Sequence, residues 1–280
     1  MPSEIERARA EVRVLVLTGL GLNCERETAE GFRLCGGRPE LVALSDALAG
    51  RRARLADFHI LALIGGFSFG DHLGAGVVYA NRLRYRLLDQ ILGFVQQGGL
   101  VLGICNGFQT MIKLGLLPAL DGELGRQRAT LAPNDRPGYR DVWVTLRADP
   151  MSPCVWTRGI DLLDLPARHG EGKFLAGNEE VASAIRAGHL AAVRYVDERG
   201  EPTCRWPDNP NGSPEGIAGI CDPSGRLFGL MPHPDAYLYG FSHPQWPRRK
   251  IEGLLAERGE GLRIFQNGVD FVAARWAGGS

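Results

Sequence analysis

A chain of 280 residues with 44% apolar content is long enough to bury one large α/β core. Its 32 Lys and Arg balance 32 Asp and Glu, so the net charge invites neither nucleic acid nor an anionic membrane, and small-molecule chemistry is the expectation. Six cysteines without C-x-x-C pairing argue against a zinc site or a disulfide framework. A charged N-terminus, with no run near the ~18–20 apolar residues of a membrane span, predicts a soluble, cytoplasmic protein with reduced thiols.

Residues 12–18 (VRVLVLT) form a β-branched apolar run closed by Gly19-Leu20-Gly21, which predicts a central strand with a loop at its carboxyl end. That loop does not fit G-x-G-x-x-G, and no acidic residue follows a clear second strand, so dinucleotide binding is not expected. A helix over about 24–34 stops at Gly36-Gly37; short strands follow at 41–44 and 59–64. Strand, helix, strand, helix, strand predicts an open, mostly parallel sheet with helices on both faces.

The third strand runs into Gly65-Gly66-Phe67-Ser68-Phe69-Gly70-Asp71, and ligands collect at the carboxyl ends of strands in such sheets. An amphipathic helix over 81–97 then leads to the buried strand 100–104. Cys105 falls in the turn between that strand and a helix carrying Phe108, Met111, Ile112 and Leu116, with Gly115 as a left-handed cap and Pro118 as a stop. Gly103 and Gly107 flank it as G-x-C-x-G, the cysteine counterpart of the nucleophile elbow. The N–H of Asn106, with that of Gly66 or Phe67, is the expected oxyanion hole.

Residues 126–140 are predicted as a loop, 141–146 and 154–157 as strands, and 162–166 as a segment leading into a substrate-contact loop over 167–174. His169 and Glu171 lack the further ligand a metal site needs, so no metal is expected. A helix over 179–187, a strand over 191–196 and a loop over 205–214 precede a hairpin of 217–221 and 226–230 around Asp222-Pro223-Ser224-Gly225. The hairpin ends in Met231-Pro232-His233-Pro234-Asp235. His233 is the expected base and Asp235 its orienting carboxylate, which completes an order Cys, His, Asp; His243 lacks an adjacent acid. The tail, with Ile251, Leu254, Leu255 and then Leu262 to Phe271, reads as one or two closing helices. The expected organisation is an extension over 1–11, one domain over 12–242 with an insertion at about 120–165, and a helical tail over 243–280.

Four segments together, GGFSFGDHLGAG at 65–76, GICNGFQ at 103–109, HGEGKF at 169–174 and NPNGS through GLMPHP at 209–234, carry a resemblance to the class I (triad) glutamine amidotransferases. Within them the chain is most similar to the glutaminase subunits of phosphoribosylformylglycinamidine synthase. The resemblance implies a flavodoxin-like sheet with an antiparallel extension, and attack by Cys105 on the side-chain amide of L-glutamine through a thioester. It implies Gly65, Gln109, His169 and Gly170 as substrate-binding positions. It also implies no cofactor in this chain, ATP and Mg used by a large synthetase subunit, and room for a small accessory subunit in the same complex. Two other readings fit the same residues: another triad amidotransferase or cysteine amidase, and a non-catalytic regulatory subunit. The chain departs from the family where His-Pro-Glu is replaced by His233-Pro234-Asp235, one methylene shorter, which requires a backbone about an ångström closer to the imidazole. Leu63-Ile64 stands where the family commonly has Pro-Gly.

Overall fold

The computed structural model describes residues 3–51 and 54–277, so the first two residues of the extension and the last three of the tail lie outside it. The elements run α1 (Glu4–Arg9), β1 (Arg13–Thr18), α2 (Glu25–Leu34), β2 (Arg38–Ala43), α3 (Leu44–Leu48), β3 (Ile60–Leu63), α4 (Val77–Arg86), α5 (Leu88–Gln96), β4 (Leu100–Ile104) and α6 (Asn106–Leu114). They continue with β5 (Ala129–Ala132), β6 (Arg140–Ala148), β7 (Leu162–His169), β8 (Lys173–Ala176), α7 (Glu179–Ala187), β9 (Val193–Tyr195), β10 (Ile217–Cys221), β11 (Leu227–Leu230), α8 (Trp246–Ile251) and α9 (Leu262–Ala277).

Nine strands form one sheet in the order β2-β1-β3-β4-β11-β10-β9-β6-β7. The first five run parallel, and from β10 onward each strand is antiparallel to its neighbour. This is the expected α/β architecture, a parallel sheet with an antiparallel extension. β3 and β4 are apolar or glycine at every position because both faces are covered; their side chains are buried throughout. The register of β4 on β11 pairs Ile104 with Leu230, so the chain leaves both strands at the same height. Cys105 donates its N–H to the Leu230 carbonyl at 2.8 Å, and His233 follows three residues later.

Several local expectations are corrected. The helix expected over 81–97 is two helices, α4 and α5, because Leu87 leaves helical geometry at φ −130° and closes α4 by donating to the Leu83 carbonyl. The strand expected at 154–157 is a single 3₁₀ turn whose Trp156 is buried; its indole N–H donates to the Arg226 carbonyl at 2.9 Å. Because backbone pairing with β1 runs from Arg38 to Ala43, β2 starts earlier than its apolar stretch, and Leu44 already belongs to α3. Within the expected loop 126–140, β5 pairs antiparallel with β8. In the tail, Ile251 and Leu254 are 88% and 70% exposed, not core, whereas α9 buries Phe265 edge-on against Phe32, ring centroids 4.9 Å apart. Arg9 of α1 reaches Asp270 of α9 at 2.6 Å. No described helix is long and apolar enough to cross a membrane.

Candidate active site

Cys105 sits between β4 and α6 at φ 50°, ψ −105°, a positive-φ conformation that a non-glycine residue holds only when its surroundings enforce it. Gly107 is part of that enforcement. A Cβ there would lie 1.8 Å from the Leu63 carbonyl oxygen, so only glycine lets α6 close onto β3 beneath the elbow. Cys105 is 6% exposed, and its Sγ–H donates to the Arg168 carbonyl at 3.4 Å.

His233 is held from the far side. Its N–H donates to Pro166 of β7 at 2.8 Å, and Pro232 bridges to Ala167. Its Nδ1 is 3.1 Å from Asp235 Oδ1, so the shorter acid reaches the ring; both residues are buried. Burial opposes protonation of His233, but the hydrogen-bonded Asp235 carboxylate and the neighbouring Cys105 hold it well above the ordinary histidine value. The ring is therefore set up to carry a proton taken from the thiol.

Of the expected oxyanion donors, the Asn106 N–H is the first orphan donor of α6. The Gly66 N–H has no partner among the described residues. Phe67 is corrected: its N–H is already donated to the Gly21 carbonyl at 2.7 Å, part of the bridge between Leu22 and Gly66. The Asn106 side chain ties this loop to the elbow, donating through Nδ2 to Asp71 Oδ1 at 3.1 Å and accepting from the Ser68 N–H at 3.3 Å.

The loop after β7 closes the other wall. Gln109 holds the loop by donating to the Glu171 carbonyl at 2.6 Å while its oxygen accepts from Asn106 of the same helix, with one N–H and one lone pair left for a ligand. Glu171 in turn accepts from the Ala75 N–H at 3.2 Å. His169 is 2% exposed with Nδ1 3.2 Å from Asn134 Oδ1; burial pushes it down to about 3, and its buried Nε2 has no partner among the described residues. With the Asn134 oxygen accepting, Nδ1 carries the hydrogen and Nε2 is left as an acceptor. Gly170 faces open space, and Gly65 packs so closely on His233 that a Cβ would lie 2.7 Å from Cε1.

Sequence reasoning missed three contributors. Asn134 organises the loop after β7, donating to the His169 carbonyl and accepting from the Gly172 N–H, from within the stretch 126–140 expected only as a loop. The NPNGS segment is a hydrogen-bonded knot behind it: Asn211 donates to the Tyr195 hydroxyl at 3.1 Å, and Ser213 Oγ accepts from the Phe174 N–H at 2.9 Å. Cys24, just before α2, lies against the His233–Asp235 pair. Burial pushes its thiol up to about 11, the His233 contact pulling the other way.

Residues 11–272 match the CobB/CobQ-like glutamine amidotransferase domain. Over 270 residues the chain is 44% identical to phosphoribosylformylglycinamidine synthase subunit PurQ of Dehalococcoides mccartyi, covering 96% of this chain and 98% of that protein. It is 38% identical over 268 residues to the subunit of the same name from Methanococcus maripaludis strain C7, covering 92% and 97%. Among solved structures it is similar to a chain of PurLQS from Thermotoga maritima, with TM-score 0.68 and 26% identity over 94% of this chain and 99% of that one.

Proposed function

The chain belongs to the CobB/CobQ-like glutamine amidotransferase family, and from that membership we propose that it is the glutaminase subunit of a phosphoribosylformylglycinamidine synthase. The register of β4 on β11 carries this reading at the level of chemistry: it delivers a strained cysteine and a carboxylate-backed histidine to one spot at the carboxyl end of the sheet.

The reaction begins as Cys105 transfers its thiol proton to His233 and attacks the side-chain carbonyl carbon of L-glutamine. The carbonyl oxygen becomes an oxyanion in reach of the Asn106 and Gly66 N–H groups. As the C–N bond breaks, the imidazolium gives its proton to the departing nitrogen, which leaves as ammonia. A γ-glutamyl thioester remains on Cys105. Water, deprotonated by His233, then attacks the thioester; the C–S bond breaks, glutamate leaves and the thiol is restored. Asp235 keeps the imidazole in one tautomer and stabilises its charged form throughout. We assign Gly65, Gln109, His169 and Gly170 to the amino-acid end of the substrate, and the open space beside Gly170 supports that reading.

The ammonia passes to a large synthetase subunit, with a small accessory subunit in the same cytoplasmic complex. The synthetase subunit uses ATP and Mg to convert formylglycinamide ribonucleotide to formylglycinamidine ribonucleotide. The relatives' names and the PurLQS assembly support this partnership. The test is Cys105→Ala in the full chain, alone and with the synthetase subunit: glutamine hydrolysis and labelling by a glutamine-mimicking electrophile are both expected to vanish. Ammonia-dependent synthesis by the complex should survive. Retained hydrolysis would overturn the assignment.

A further inference from the structure

Cys24 takes no part in the chemistry above, yet it borders the base and its acid. Its Sγ, a ring nitrogen of His233 and a carboxylate oxygen of Asp235 all lie within 4.8 Å of one another. Nδ1 and Oδ1 are already 3.1 Å apart. Gly65 keeps the gap clear: a Cβ there would lie 3.2 Å from Cys24 Sγ and 3.4 Å from His233 Nδ1.

A thiolate, an imidazole and a carboxylate are the donors that zinc takes, whereas magnesium and calcium take oxygen alone. Tetrahedral bonds of about 2.0–2.3 Å put ligand atoms roughly 3.3–3.8 Å apart, so only the sulfur has to close in, by about an ångström. His233 and Asp235 are 4% and 2% exposed and held by backbone contacts on both sides, so the cation would meet a rigid, dry pair. Cys24 is partly exposed and supplies the way in; its thiol donates to Asn23 Oδ1 at 3.4 Å and also borders the His233 ring.

We propose that Cys24, His233 and Asp235 form a binding site for a zinc-class divalent cation, and that filling it turns the glutaminase off. Binding displaces both the Cys24 proton and the His233 Nδ1 proton to solvent, leaves the ring hydrogen on Nε2, and occupies Nδ1 and the carboxylate together. A ring ligated on the side that faces Asp235 can no longer donate there, and with a cation bound it does not take up the Cys105 proton. Three protein ligands leave one position for water. The inhibitory half of this inference rests on the glutaminase reading; the binding half does not.

The experiment therefore separates them. Co²⁺ is titrated into the full-length Cys105→Ala/Cys204→Ser chain, which lacks the nucleophile and the exposed Cys204. A saturable thiolate-to-cobalt charge-transfer band is expected, removed by Zn²⁺ and lost when Cys24→Ser is added. In the otherwise native chain, Zn²⁺ should inhibit glutamine hydrolysis, chelator should restore it, and Cys24→Ser should raise the inhibitory concentration about tenfold or more. A band that persists without Cys24, or no band while the chain is folded by circular dichroism, overturns the site. A Cys24-dependent band with undiminished hydrolysis overturns the inhibition alone. A wild-type chain that never hydrolyses glutamine indicts the functional reading, and the cobalt spectrum still decides the site.

Discussion

Asn106 Nδ2 donates to Asp71 Oδ1 at 3.1 Å, which joins the first residue of the nucleophile's helix to the loop that carries the Gly66 N–H. The Asp71 carboxylate also accepts from the Gly76 N–H at 3.3 Å, so one acid ties the loop to the elbow and to its own far end. Removing it leaves the nucleophile in place and loosens the oxyanion donor. Asp71→Ala is expected to lower kcat by about 10- to 100-fold with a smaller change in KM. Steady-state glutaminase assays check this, and a pure KM effect would contradict it.

Asp235 is the acid on the base. Asp235→Asn should cost on the order of 100-fold or more in kcat/KM, while Asp235→Glu, which restores the family's usual acid, should stay within about tenfold. The sign of the pH effect follows from His233, whose raised value depends on the Asp235 charge. The imidazolium that gives its proton to the departing nitrogen is lost as pH rises through the His233 value. Without the carboxylate that value falls, so the alkaline limb of the kcat/KM profile moves to lower pH. A limb left in place by Asp235→Asn would show that the carboxylate does not support the ring's charge.

His169 gives a stability signature. Its folded value is about 3 against an ordinary 6.5, so between those limits the unfolded chain binds the proton and the folded chain does not. Stability from this group is complete above about pH 6.5 and drains as pH falls toward 3, with a slope of at most about 1.4 kcal/mol per pH unit. Urea unfolding from pH 7 to 4 should show a flatter dependence for His169→Gln than for the wild type; parallel curves would contradict a neutral buried imidazole.

The closing helix is part of the core. Phe265→Ala removes the edge-on contact with Phe32 at a fully buried site and should cost about 3–5 kcal/mol in denaturant unfolding. A loss under about 1 kcal/mol would mean that α9 is a peripheral addition.

The parts of the site that one strand end supplies were legible in the sequence. Leu100 to Ile104 is short and apolar at every position, and G-x-C-x-G describes the turn it enters, so Cys105 follows from local pattern. His233 and Asp235 follow from a hairpin whose turn chemistry is explicit. The Phe67 N–H was mistaken for a free donor because its partner, the Gly21 carbonyl, is brought there by a bridge between two glycine loops that no periodicity encodes. Cys24 was invisible for a similar reason: the start of α2 and the end of β11 meet only through the parallel order of the sheet. Trp156 looked like a strand residue because an apolar aromatic run satisfies strand and 3₁₀ turn alike, and burial under α9 decides between them.

The central claim is that Cys105 forms the acyl intermediate. Acid quenching of the full chain during turnover with L-glutamine, followed by peptide mass mapping, measures it directly. One γ-glutamyl group on the peptide containing Cys105, absent from the Cys105→Ala chain, is the expected result. An adduct on another residue, or glutamine hydrolysis by Cys105→Ala at the wild-type rate, would contradict the mechanism.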